Sequence, residues 1–527
     1  MKLKEHLGEW IFTVFILSFL AIGFLLNVEI LEKPWERFTE DEIDFEEWID
    51  EVKQAYVADV AYKDQFINLN GLFAKLTGRT VYNNVATLKN GMLDYDVIPK
   101  QNMTSYANSL SDLNGFLADQ NIPFLYIQAP FKLDMQNQLA AYGVENCGNQ
   151  NADELLKLLK ESGIDSVDLR QTISATPELV ERYFYRTDHH WNTHGAFLAF
   201  GEAVAYLQAA FPDQTFDTTL TDPSNWNMET YEDVFLGSRG KRVGKYFGGV
   251  DDLVLYTPKF ETDMYRYVAK YRAYYGGSFE DAVLRKEYLE KDYFNVNAYC
   301  TYIGGDYPLV HHVNRLAKND LKVLLIKDSF SLPFQAFLST AVRELDVLDP
   351  RYYGESTVAE YVAASNPDIV IVITNPSVFG DPSYLQFGAE HASAHFAQTE
   401  LVPVATEERI RLQAPQGKLH WNRAVCDHLK YDTKYTLTCE SIQVEKGKAT
   451  EATVLLYNAT TKTILSSYVF DLRDPTASYE WSFITPQSGD GDLRVMVYCG
   501  RHGSTDGNRL IYQNVTIYEH CAPSPKE

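Results

Sequence analysis

Cysteine is scarce in this chain: six among 527 residues, at Cys147, Cys300, Cys426, Cys439, Cys499 and Cys521. None forms a Cys-x-x-Cys pair, which argues against a structural zinc site. Four of the six fall near the C-terminus, which permits two disulfides in an oxidising compartment and leaves their pairing open. Positive charge is also short, with 47 Lys and Arg against 72 Asp and Glu, a net charge of -25 and a pI near 4.9. A nucleic-acid partner is thereby excluded, because phosphate binding needs a basic surface. The same deficit disfavours a grip on polyanionic polymers, except at the local basic run Arg239, Lys241, Arg242 and Lys245. Internal repeats and low-complexity tracts are absent.

The chain does have the material for large folded cores. Hydrophobic residues make up 45% and charged residues 23%, a globular balance, and 527 residues are too many for one ordinary core. Aromatics are plentiful, with 35 Tyr and 29 Phe, which suits a β-rich core and equally a surface that stacks on sugar rings. Lys2 and Lys4 precede Trp10 to Leu26, a stretch without charge. With Asn27 and Val28 it approaches the ~20 residues that cross a bilayer as a helix, and the flanking charges favour an internal N-terminus and an external bulk. Lacking a convincing cleavage site, it reads as an uncleaved signal anchor.

We expect four regions: an anchor over 1–28, an acidic juxtamembrane spacer over 29–60, an α/β domain over 61–400, and an antiparallel β-sandwich over 401–527. Helical patterns at Leu110 to Leu117, Leu155 to Leu159 and Gly195 to Ala209 alternate with strand patterns at Pro123 to Gln128, Val323 to Ile326 and Ile369 to Ile373. That alternation predicts a mostly parallel sheet covered on both faces. Apolar residues at Phe334, Phe337, Leu338, Ala341 and Leu345 predict a helix over 332–345. Between 212 and 315 the pattern loosens, as in an insertion walling the rim of a site. Past 400, short alternating runs such as Ala452 to Tyr457 and Arg494 to Tyr498, separated by turn residues, predict the sandwich.

One stretch organises the rest: Asp188-His189-His190-Trp191, with Lys327-Asp328-Ser329-Phe330 as its partner. A carboxylate two residues before an imidazole can hold that ring through one nitrogen and leave the other to take a proton from a hydroxyl. Ser329 follows the strand at 323–326 and precedes a helix, the turn at which open α/β sheets place ligands. If the 188–190 backbone is extended, residues two apart share a side, which selects His190 and turns His189 away. Asp328, adjoining Ser329, is expected to point elsewhere. Oxyanion or substrate donors are sought at Phe330, Gly237 with Ser238, Asn375 and Arg239. A metal site built from His189, His190, His194 and Asp188 is the competing reading.

The tetrapeptide resembles the signature of the DHHW family, similar to the alginate O-acetyltransferase proteins and built on an SGNH-hydrolase-like fold. Softer landmarks are Leu88 to Leu93, Phe235 to Ser238 and Leu348 to Tyr353. The resemblance spans residues 60 to 380 or so and implies Asp188 as orienter, His190 as general base and Ser329 as nucleophile. It implies an SGNH-like three-layer α/β/α domain and, at the sandwich, a carbohydrate-binding module. It further implies a single-pass bacterial surface enzyme, without cofactor, that acetylates an exopolysaccharide or cell-wall glycan. A membrane-bound O-acyltransferase partner would supply the acetyl group. A carbohydrate esterase with the same triad, and a non-catalytic polysaccharide-binding protein, are the alternatives.

Overall fold

The structure, a computed structural model, describes residues 7–523 except 41–42, 96, 386, 389–391, 393–394, 396–399, 415–421 and 500–506. It begins with the apolar helix Leu7–Asn27, 21 residues long. The helical stretch Phe12–Thr39, which this helix opens, is long and apolar enough to cross a membrane, with a mean hydropathy of 2.4 in its most apolar part. Two helices follow, Glu32–Thr39 and Phe45–Asp59, the second opened by a capping box of Asp44 and Glu47. Trp35, Phe38, Phe45 and Trp48 pack between them, with ring centroids 5.5 to 6.3 Å apart.

The α/β domain is built on eight strands in the spatial order Ser166–Asp168, Phe124–Gln128, Ile369–Thr374, Lys322–Lys327, Glu344–Leu348, Leu309–Asn314, Met264–Val268 and Ala273–Gly277. The first five are parallel and the last three antiparallel. Residues of each parallel strand alternate between two cores because successive side chains point to opposite faces. Val323, Leu325, Ile369 and Ile371 join Phe200, Phe334 and Phe337 beneath helices Thr193–Ala210 and Ser331–Leu338. Leu324, Ile326, Val370 and Val372 join Leu113, Leu155 and Val362 beneath helices Thr104–Asp119, Gly148–Glu161 and Val358–Ser365. This is the three-layer α/β/α arrangement of the SGNH-like class.

Two expectations are corrected here. The helix predicted over 332–345 ends at Leu338, and Leu345 lies in the strand Glu344–Leu348. Ser339 and Thr340 turn their hydroxyls back onto the carbonyls of Ala336 and Phe337, each at 2.7 Å, which competes with the helical ladder and closes it. The segment 212–315 is also more than a loose rim: it supplies three strands of the central sheet and a separate ribbon, Trp226–Phe235 with Asp251–Pro258. Its burial alternates too irregularly along the chain to be read as strands without their partners.

The C-terminal region forms two four-stranded antiparallel sheets. Its thiols stay free, as do Cys147 and Cys300, so the permitted disulfides are not formed; Cys439 and Cys499 sit in the sandwich core as small apolar groups. The strand Thr463–Asp471 docks on the antiparallel end of the central sheet. Ser467 meets the Tyr267 hydroxyl at 2.6 Å, Tyr468 lies edge-on to His311, Arg315 pairs Asp471 at 2.9 Å and Arg473 pairs Asp263 at 2.6 Å.

Candidate active site

The turn after strand Lys322–Lys327 delivers Ser329 to the carboxyl end of the parallel sheet. Asp328 fixes that turn: one carboxylate oxygen accepts the Phe330 N–H at 2.9 Å and the other the Asn375 N–H at 2.6 Å. Asp328 thus ties two strand ends together and does point away from the triad. Burial pushes its carboxyl up, and those two backbone donors partly offset the rise.

Facing Ser329, Asp188, His190 and Ser329 form a continuous hydrogen-bonded chain. His190 Nδ1 lies 2.5 Å from Asp188 Oδ1, and the Ser329 hydroxyl donates to His190 Nε2 at 2.8 Å. The pairing with Asp188 protonates Nδ1 and leaves the Nε2 lone pair for the serine proton. Asp188 is 3% exposed; its burial works to raise the carboxyl, but His190, His189 and their hydrogen bonds hold it well below its ordinary value. It stays ionised.

Each residue of the tetrapeptide has a place. Trp191 donates to the Phe330 carbonyl at 2.8 Å, and the Tyr299 hydroxyl reaches the same oxygen at 2.7 Å. His189 does not turn away: its ring lies 3.9 Å from that of His190, and its Nδ1 is 3.0 Å from Ser238 Oγ. The segment runs through bends, so the two-residue alternation of a strand does not apply. His194, needed by the metal reading, bonds Tyr256 at 2.7 Å instead. Asp188, His189 and His190 do bring ligand-type atoms within 4.8 Å of one another, but both nitrogens of His190 are already engaged.

The predicted donors divide. The Gly237 N–H goes to the Thr187 hydroxyl at 2.8 Å and the Ser238 N–H to Asp188 Oδ2 at 2.5 Å, so both hold the triad carboxylate loop and neither faces an oxyanion. A Cβ on Gly237 would stand 2.3 Å from that of Asp188, the close approach that requires glycine there. Phe330 N–H serves Asp328, and the Asn375 carboxamide is spent on the Pro130 carbonyl and the Ser377 N–H. Arg239 is buried with its guanidinium 3.6 Å above the Tyr95 ring and its Nε without a partner.

Three residues went unnoticed in the sequence. Tyr299 stacks on His190 at 4.1 Å and 13°. Lys132, 1% exposed, donates to the carbonyls of Leu93, Arg186 and Asp188 at 2.6, 2.9 and 2.5 Å. Asp251 accepts the N–H groups of Arg186 and Thr187 at 2.6 and 2.7 Å. None carries a local motif, since each acts through backbone distant in sequence. Around the Ser329 turn, Lys327 pairs with Asp306 and Asp349, and Arg351 grips Asp349 in a fork at 2.9 and 2.6 Å.

The fold and this geometry define an SGNH-hydrolase-like domain. Residues 92–227, which hold Asp188 and His190, match the family described as SGNH hydrolase-like domain, acetyltransferase AlgX. Among solved structures, Bacillus cereus PatB1 is 21% identical, with 57% of this chain and 99% of that chain covered at a TM-score of 0.49. A DHHW family protein from Eubacterium siraeum is 19% identical over 58% of this chain and 95% of its own, TM-score 0.42. Pseudomonas aeruginosa AlgX is 11% identical over 85% and 96%, TM-score 0.33. Among curated proteins none matches the sequence.

Proposed function

We propose that the chain is a serine-dependent O-acetyltransferase that moves an acetyl group onto hydroxyls of an extracellular polysaccharide, held at the membrane by its N-terminal helix. The observation that carries the reading is the chain Asp188–His190–Ser329, oriented for proton transfer from the serine hydroxyl. In the first half-reaction His190 Nε2 takes that proton as Ser329 Oγ bonds to the acetyl carbon. The carbon–oxygen bond to the donor then breaks, and the departing oxygen leaves with the proton from His190. In the second, an acceptor hydroxyl gives its proton to His190, attacks the acetyl-serine and releases Ser329 Oγ, which recovers the proton. For the oxyanion this reading takes the Ser329 N–H, since the Phe330 N–H of the same turn already serves Asp328.

Water in place of the sugar hydroxyl gives an esterase, the second reading, for the same triad serves both. The acetyl group is expected to be delivered by a multi-spanning membrane O-acyltransferase, a partner implied by the family resemblance alone. The test uses a chromogenic acetyl ester and mass detection of the acyl-enzyme on wild type and on Ser329→Ala, His190→Ala and Asp188→Ala. An acetyl adduct on Ser329, lost or reduced at least 1,000-fold in all three, supports the reading. Acceptor oligosaccharides then separate transfer from hydrolysis. A wild type with neither adduct nor turnover removes the catalytic reading and leaves polymer binding.

A further inference from the structure

Between the central sheet and the sandwich lies a cleft of about 700 Å³, the size of cavities that enclose small-molecule ligands. It is lined from one side by the strand and helix residues Lys322, Glu344, Asp346 and Tyr361, and from the other by Lys434, Thr436, Glu480 and Ser482. Lys322 opens the strand whose far end carries Ser329, seven residues on, so the cleft floor is roughly 20 Å from the triad at about 3.3 Å per residue.

The cleft is framed by the docking contacts, Tyr267 to Ser467 and Arg473 to Asp263. There Asp346 accepts from the Tyr361 hydroxyl at 2.8 Å and pairs His311 Nδ1 at 2.7 Å. Hydroxyls are dense along the walls, among them Ser356, Ser466, Thr438 and Ser482, and Ser365 Oγ is sequestered there without a partner. Tyr353, Tyr361 and Tyr468 are its aromatic lining, whereas the stacked pair Trp481 and Phe483 turns into the sandwich core. Hydroxyls, carboxyls and amines beside aromatic faces are the chemistry that recognises sugars.

Charge narrows the class. The lining holds five carboxylates, Glu344, Asp346, Glu355, Glu360 and Glu480, against two lysines, Lys322 and Lys434. Lys322 is taken by Glu344 and Asp346, at 3.6 and 3.9 Å. The whole chain adds a net charge of -25, so a polyanion entering here meets repulsion at short and long range.

We propose that this cleft is a second binding site, for an uncharged or amino-bearing glycan chain, and that it excludes polyuronates. The proposal rests on the polysaccharide-acceptor reading and specifies which polysaccharide: one whose chain is held in the cleft while another stretch reaches Ser329.

The experiment titrates the full-length protein in detergent micelles, as wild type and as Ser329→Ala, with four hexasaccharides. These are β-1,4-glucose, N-acetylglucosamine, glucosamine and a uronate hexamer, followed by calorimetry and tryptophan fluorescence. At least one of the first three is expected to bind, equally to both proteins, with the uronate at least tenfold weaker. The double variant Glu355→Gln, Lys434→Ala should weaken binding tenfold or more, and Glu344→Lys with Glu480→Lys should admit the uronate. Binding by none of the three, binding unchanged in the double variant, or a uronate that binds as tightly as the others overturns the proposal. A wild type that binds the glycan but forms no acyl-serine fails only the transferase reading, and the cleft stands.

Discussion

At the residue scale, Lys132 shows how a side chain that touches no substrate governs the triad. An ammonium has three donors, and here each meets one backbone carbonyl, the Asp188 carbonyl among them. Lys132→Met keeps the bulk but orphans buried carbonyls at about 1–3 kcal/mol each, and lets Asp188 drift. A fall of about 100-fold in acyl-enzyme formation is expected, since misplacement by about 1 Å costs that much. Lys132→Arg should recover part of it. Equal activity in Lys132→Met and wild type would remove Lys132 from the positioning role.

His189 gives a pH prediction. Burial first, and the neighbouring His190 second, push its imidazole down to about 3 from the ordinary 6.5. Between those values the unfolded chain binds a proton that the folded chain refuses, so stability falls as the pH drops from 6.5 toward 3. His312, held well below its ordinary value by burial and then by Arg266, adds to the same slope. Asp188 works lower: its depressed carboxyl contributes stability above the ordinary carboxyl range, lost only as the pH falls below it. Thermal midpoints measured from pH 7.5 to 4.5 should therefore decline, and His189→Asn should flatten the decline in part. An unchanged slope in the variant would contradict this.

At the element scale, helix Ser331–Leu338 carries both the turn that presents Ser329 and the anchor that holds it. Phe337, fully buried, is ringed by Phe197, Trp226, Tyr256 and Tyr302 with centroids 5.2 to 5.9 Å away. Phe337→Ala leaves a cavity that several rigid rings cannot fill, at about 3–5 kcal/mol. The expected result is a clear drop in the denaturation midpoint, with the sandwich unaffected. A shift under 1 kcal/mol, on the order of a surface substitution, would mean the helix is held elsewhere.

At the scale of the whole molecule, the sandwich is tied to the sheet by a partly buried ionic network. Arg473 grips Asp471 and Asp263 and donates to the Met264 carbonyl at 3.0 Å, while Arg315 reaches Asp471 and Asp263. Networks of this kind are worth more than isolated surface pairs, and removing one partner leaves the others unmatched. Arg473→Ala should speed hydrogen exchange in strands Thr463–Asp471 and Met264–Val268 by about tenfold or more, without touching acyl-enzyme formation. Equal exchange in the two proteins would show that the tyrosine contacts alone hold the domains.

What the sequence by itself determined is whatever local pattern encodes. The central parallel strands Lys322–Lys327 and Ile369–Thr374 are nearly continuous apolar runs because both faces are buried, helix Thr193–Ala210 shows its helical pattern, and the sandwich strands alternate. Asp188, His190 and Ser329 were legible because the first two are neighbours in the chain and the third sits at a strand-to-helix turn. Only the tertiary structure decided the rest. Whether the N–H groups of Gly237, Ser238 and Phe330 face substrate or brace the site depends on which acceptors the fold brings near, and it brings Thr187, Asp188 and Asp328. Tyr299 and Lys132 reach the triad from segments 109 and 56 residues away from His190 and Asp188, so no local spacing encodes them. The last three sheet strands stayed hidden for the same reason: antiparallel pairing is a long-range choice, made by burial against partners.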